Sequence, residues 1–348
     1  MATLRAGFFA DRGGNFVWAV AAGLVLISLA IPSFLNPYYL RILIIGLLYA
    51  YLASCWNFIG GYAGQMSLGN AIFFGIGSYM VALFANYDIA PTVVALPAAI
   101  LVAGALAKIL AAICFRYSLR GIYFAVGTLL LAEIVRILVI NTSYLGRSQG
   151  LQVTARPGIL NLQFANDVPF FYLILFLCVI IVLGSLWLER SKLGFEMVAL
   201  REQESAAQAL GVATDRIKQT AFVISAMLTS IGGFVYGALI GFVEPAHDLS
   251  LAITMIMVMG AVLGGRGTAL GPIVGGLIVM LVQETLTAMG SWIGTTSISA
   301  LAQMFYGLFF VLVILFFPRG IVGQWIRHLA DRKTAAPAFN LPARPKAG

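Results

Sequence analysis

Glu133 and Arg136 stand three residues apart inside a long apolar run, on neighbouring positions of one helix face. Charges inside such runs are rare; they mark either a self-neutralising pair or a functional ion. Glu284, beside Gln283, raises the same question in a later run, and Lys108 can reach a membrane surface on its long stem. Catalytic chemistry has little to work with. The chain holds 13 acidic residues and 2 histidines, in no cluster with catalytic spacing. Lone His247 reads as a polar loop residue rather than a metal ligand. Cys55, Cys114 and Cys178 each sit in an apolar run without CxxC or Cys/His spacing, and read as small buried hydrophobes. No G-x-x-x-x-G-K-[ST] is present, so any ATP this protein uses is hydrolysed on another chain.

The elements that must position these residues follow from composition. Of 348 residues 61% are hydrophobic and 10% charged, against about 25% charged in soluble domains. Lipid is therefore the main solvent, and the fold class is all-α: a polytopic transmembrane helical bundle. Apolar runs predict about ten spans, at 16–34, 39–59, 65–86, 91–115, 119–141, 168–188, 219–241, 250–264, 270–289 and 303–318. The third opens with glycine and polar residues and the eighth is short, so either could be a broken or re-entrant helix. Arg5 and Arg12 ahead of the first run mimic a signal peptide, but its length favours an uncleaved helix. The net charge of +8 reflects basic cytoplasmic loops rather than nucleic-acid binding. With the N-terminus inside, sixteen of the 21 Lys and Arg fall on the inner side and three, Arg41, Arg147 and Arg156, on the outer. Both termini are then cytoplasmic. Residues 1–325 are expected to form one transmembrane domain, and 326–348 a basic, disordered cytoplasmic tail.

Two stretches echo each other about 200 residues apart. Gly60-Gly61-Tyr62-Ala63-Gly64-Gln65-Met66-Ser67-Leu68-Gly69 matches Gly264-Gly265-Arg266-Gly267-Thr268-Ala269-Leu270-Gly271 with two residues gapped. Interrupted apolar segments in matching positions of two halves point to a transport path. Glycines serving close helix packing are the alternative, and the residues leave both open. The path candidates are Gly61, Gly64, Gln65, Ser67, Gly69, Glu133, Gly265 and Gly267, with Asn70 beside them.

One long charged stretch interrupts the apolar body, at 189–218. From Phe195 to Leu210 it has strong helix formers and neither Pro nor Gly; Gly211 fits a helix stop. Met197, Leu200, Ala207 and Leu210 fall near one face. The spacing predicts a stiff helix with Ala206 and Ala207 permitting close approach of a partner. An amphipathic connector lying on the bilayer is the other reading.

The run Gly194…Ala199-Leu200-Arg201-Glu202…Ala206-Ala207…Leu210-Gly211 resembles the coupling loop of ABC importer permeases. More narrowly, the chain over about 16–325 resembles the M-type permease subunits of branched-chain amino acid ABC importers. Gly60–Gly69, Arg120-Gly121-Ile122-Tyr123-Phe124-Ala125, and Gly264–Gly267 with Gly271-Pro272 carry the likeness. One departure is that Ser205 separates Glu204 from the alanine pair. The resemblance implies a bacterial inner-membrane subunit that is not itself an enzyme. It would pair with an H-type permease, two ATPases and a periplasmic binding protein. No cofactor is expected on this chain, since ATP and Mg would sit on the ATPases. Gly194, Ala199, Arg201, Glu204, Ala206, Ala207 and Gly211 would form the coupling set. Residues 141–168 and 244–248 would form the binding-protein platform. Branched-chain or other apolar amino acids are the implied solutes, with urea or short amides second and a pentose-type sugar third. Outside this class the rival is an ion-coupled secondary transporter, which would leave 194–211 without a role.

Overall fold

Apolar runs become helices here because a backbone in lipid has to satisfy its own hydrogen bonds. A computed structural model describes residues 35–116, 121–154 and 166–292, with single positions at 32, 158, 161, 164, 307 and 320. Among them eleven α-helices follow in order: α1 (Pro37–Asn57), α2 (Ala71–Tyr87), α3 (Thr92–Arg116), α4 (Ile122–Asn141), α5 (Val168–Arg190), α6 (Lys192–Glu202), α7 (Glu204–Ala209), α8 (Thr214–Ile240), α9 (Pro245–Asp248), α10 (Leu251–Gly264) and α11 (Gly271–Trp292). Six helical stretches are long and apolar enough to cross a bilayer: Pro37–Tyr62, Thr92–Arg116, Ile122–Asn141, Val168–Arg190, Thr214–Ile240 and Pro245–Gly264. Ala71–Tyr87 and Gly271–Thr285 are shorter apolar helices. The expected segments 16–34 and 303–318, the tail 326–348 and the terminal charges fall essentially outside the described residues.

One of the two expected interruptions is present. The third segment is helical only from Ala71. α1 widens into a π-helical turn, Phe58–Tyr62, and residues 63–70 then run without regular structure into the bundle. The eighth, by contrast, is one unbroken 14-residue helix, α10, and the short α9 before it lengthens the stretch to Pro245–Gly264.

α8 packs against α2 and α3, α11 against α10 and α1, and α5 against α1. The most apolar window of the α1 stretch is 83% buried and that of α4 only 22%, so α1 is the core and α4 the rim. α2 and α8 approach closely because Gly77 lies against the Ser230 carbonyl and Gly233 against the Phe74 carbonyl. Gly233→Ala should therefore force the helices apart. The expected loss is about 1–3 kcal/mol of stability, read as a lower melting temperature of the detergent-purified chain.

The two ends differ. At one end Tyr62 meets Glu189 and Arg201 meets Gly61. At the other, β1 (Leu151–Gln152) pairs antiparallel with β2 (Phe242–Val243), with Leu151 opposite Val243. Hydropathy did not anticipate this ladder. Asn86 ties it to α2, donating to the Gln152 carbonyl at 2.9 Å and accepting from Thr154 N at 2.8 Å. Among the described residues, Arg116, Arg190, Lys192, Arg201, Arg216, Lys218 and Arg266 gather toward the first end, and Arg41 and Arg147 toward the second.

Candidate functional site

The charged loop folds as two short helices rather than one rod. Ser191 caps α6, its Oγ accepting from Gly194 N at 3.1 Å. Gly194 packs on the Leu188 carbonyl, where any side chain would collide, and this sets the sharp turn out of α5. The expected continuous helix over 195–210 breaks at Gln203, whose backbone is extended (φ −158°, ψ 105°). The break resets the helical register. Met197, Leu200 and Ala207 are buried as expected, but Leu210 is 84% exposed and Phe195 is exposed as well. Gly211 does end α7, with Val212 N donating to the Ala207 carbonyl at 3.0 Å.

Two anchors flank the break. Arg201, near the end of α6, turns inward and donates from Nη1 to the Gly61 carbonyl at 2.9 Å. Glu204, opening α7, accepts from Lys218 Nζ of α8 at 2.6 Å. That ammonium is nearly dry, its side chain 2% exposed, and lies 5.7 Å from the Phe115 ring centre.

Around Arg201 the two glycine stretches meet. A Cβ on Gly64 would stand 2.6 Å from Arg201 Cγ, and Gly64 has φ +70°. A Cβ on Gly267 would strike Arg201 Nη1, and Gly267 has φ +71°. Both positions need glycine for backbone conformation and for space. Gly61 lies against Gly267 N, at 2.6 Å from a built Cβ. Asn57 clasps the pair: its Oδ1 accepts from Gly267 N at 2.8 Å, and its Nδ2 donates to the Thr268 carbonyl at 3.1 Å. Tyr62 Oη, one turn on, donates to Glu189 Oε1 at 2.9 Å at the foot of α5.

The segment beyond is held by side chains standing in for lost helical bonds. Trp56 Nε1 donates to the Ser67 carbonyl at 2.8 Å. Leu68 N donates to Thr128 Oγ1 of α4 at 3.0 Å, and Ala71 N to Thr254 Oγ1 of α10 at 2.9 Å. Ser67 Oγ donates to Asn70 Oδ1, and Asn70 Nδ2 to Ser225 Oγ of α8. Irregular backbone at such depth persists only where protein groups satisfy it.

The chain matches the family described as branched-chain amino acid transport system / permease component over residues 38–317. The chain belongs to this family. The permease is 29% identical over 337 residues to the high-affinity branched-chain amino acid transport system permease protein LivM of Escherichia coli, covering 90% of this chain and 76% of that one. It is 23% identical over 301 residues to the permease protein LivH of Salmonella typhimurium, covering 80% of this chain and 92% of that one. Over 111 residues it is 32% identical to the autoinducer 2 import system permease protein LsrC of Klebsiella pneumoniae, covering 31% of this chain and 32% of that one. No solved structure matches it.

Within the permease the residues of the sequence-predicted sites separate into groups. Of the coupling set, Gly194, Arg201, Glu204 and Ala207 turn inward, whereas Ala199 and Ala206 face out and Gly211 ends the loop. Of the path candidates, Gly61, Gly64 and Gly267 cluster around Arg201, with Gly265 (φ +125°) in the same turn. Gln65, Ser67 and Gly69 lie buried in the broken segment, Gly69 against the Thr128 backbone. Glu133 joins neither group. It pairs with Arg136, whose Nε is 2.9 Å from Oε2, on the half-exposed face of α4. Glu284 accepts from Tyr38 Oη at 3.1 Å. The three cysteines are free and buried. His247 is exposed beside Asp248, and no group fit for a metal occurs among the described residues. Sequence reasoning missed Asn57, Thr128, Ser225 and Thr254. The available signal was a single polar residue within an apolar helix, which in lipid must have a partner.

Proposed function

We propose that the permease is the membrane subunit of an ATP-driven importer of branched-chain or similarly apolar amino acids. Separate ATPases drive it and an external binding protein feeds it. The observation that carries the reading is the two-sided coupling loop. Its inner side grips the bundle through Arg201 and Glu204. Its outer side presents Ala206, Leu210 and Phe195 at an otherwise charged end of the molecule. A groove of about 560 Å³ beside them runs between α6, residues 210–213 and α8, rimmed by Lys192, Glu196 and Arg216. Exposed apolar side chains in such a groove favour a protein partner. ATP would bind on that partner and not on this chain. The basic end is the cytoplasmic one, with both termini on that side. The β1–β2 end with residues 244–248 faces the binding protein.

The second permease, related to LivH, would cover α4. This helix is the least buried of the six long stretches and carries the Glu133–Arg136 pair on its open face. Charges at that depth are costly against lipid.

The test is reconstitution of the full assembly (this chain, the second permease, the two ATPases and the binding protein) in proteoliposomes, with leucine, urea, a pentose and autoinducer 2 offered in parallel. ATP-dependent leucine uptake that requires every component is expected. Uptake by this chain alone under an ion gradient would replace the reading with a secondary transporter. Preference for urea would move the substrate assignment to the amide permeases.

A further inference from the structure

The structure assigns to Arg201 the role of a transmission pin that fastens the coupling loop to both glycine stretches at once. The inference rests on the coupling-loop reading above and deepens it. The Arg201 side chain is only 24% exposed: Nη1 turns into the bundle, while Nη2 stays at the rim, 3.2 Å from Oε1 of exposed Glu202. Its Nη1 donates to the Gly61 carbonyl at 2.9 Å, its stem fills the space left by Gly64, and its guanidinium fills that left by Gly267.

The partners of the pin belong to different parts of the bundle. Gly61 lies in the π-helical turn that ends α1, and Gly64 leads into the broken segment before α2. Gly267 lies in the turn that joins α10 to α11. Asn57 locks these two turns together through Gly267 N and the Thr268 carbonyl. A displacement of α6 thus pulls on the α1–α2 junction and the α10–α11 junction together. Both lead into helices near the core of the bundle, and the broken segment beyond the first is held by single side-chain bonds from α4, α8 and α10. Rigid elements with a few hinges transmit motion of this kind. The echo between the two glycine stretches has the same explanation. Each supplies a carbonyl or a void that the same guanidinium occupies, so glycine is needed at matching places 200 residues apart.

The test uses the full reconstituted assembly with Arg201→Met, Asn57→Ala and the double variant. The readouts are ATPase co-purification, ATP hydrolysis and solute moved per ATP. Each single variant should retain the ATPases and hydrolyse ATP, while solute moved per ATP falls on the order of fivefold or more. The double variant should be no worse than the poorer single, since both break one joint. Arg201→Lys keeps a donor for Gly61 but not the planar fill at Gly267, and should fall between. It carries the same test if Arg201→Met lowers the yield of folded chain. A wild-type solute-per-ATP ratio in either Asn57→Ala or the Arg201 variant overturns the pin. Loss of the ATPases from the Arg201 variants alone overturns it too, since Arg201 would then be a docking residue. Failure of the wild-type chain to hold ATPases is a different result, and refutes the coupling-loop reading itself.

Discussion

Ala206→Arg is expected to strip the ATPases from the permease while leaving the permease folded. Ala206 lies on the outward side of α7, next to exposed Leu210, where a long cation would stand between the loop and any closely fitting partner. Its neighbour Ala207 is 3% exposed and faces inward. The two alanines, equivalent in the sequence, are therefore unequal probes. Arginine at 207 would disrupt the loop itself, and arginine at 206 only what docks on it. Substitutions at the centre of a protein interface commonly remove 2 kcal/mol or more, about thirtyfold in affinity. Co-purification and uptake should both collapse, with the melting temperature of the isolated permease unchanged. Wild-type co-purification by the variant would remove α7 from the docking surface.

Glu204→Ala should produce the other large effect, on stability. It removes a carboxylate 2.6 Å from an ammonium that is almost entirely out of water. Breaking a buried pair from one side costs about 3–5 kcal/mol, because the remaining charge stays dry. The Phe115 face, 5.7 Å away, offsets only part of this, about 2 kcal/mol. Lys218 sits in the second turn of α8, which packs on α2 and α3, so the damage should spread into the bundle. The melting temperature and folded yield should drop sharply. Glu204→Gln combined with Lys218→Met should recover most of the loss, since it leaves no unpaired charge. An unchanged melting temperature for Glu204→Ala would show that water reaches Lys218. In the sequence Glu204 matched the importer pattern loosely because of Ser205; in the fold it holds α7 to α8.

The class of protein was legible because lipid acts on composition and segment length, and both are visible in a string of residues. The two-ended distribution of charge was legible for the same reason. The helix stop at Gly211 is local chemistry and was equally readable. The break at Gln203 was not, because residues 195–210 contain no helix breaker and the break is imposed from outside. Arg201 and Glu204 are three residues apart, but their partners, Gly61 and Lys218, stand on opposite sides of them in the chain and on different helices. The misplacement of Leu210 on the buried face follows from that one missed kink. The glycine echo was visible as a pattern, yet whether it marked a path or a contact was open, because spacing carries no information about what fills a void.

Residues near one another in the chain thus decided where helices start and stop, which stretches suit lipid and which end is basic, since hydrophobic transfer and backbone hydrogen bonding act over a few residues. Packing alone decided that Asn57, Gly61, Gly64, Arg201 and Gly267 form one joint. A guanidinium at the end of a bundle settles where acceptors and empty space converge, and those are contributed by segments more than a hundred residues apart.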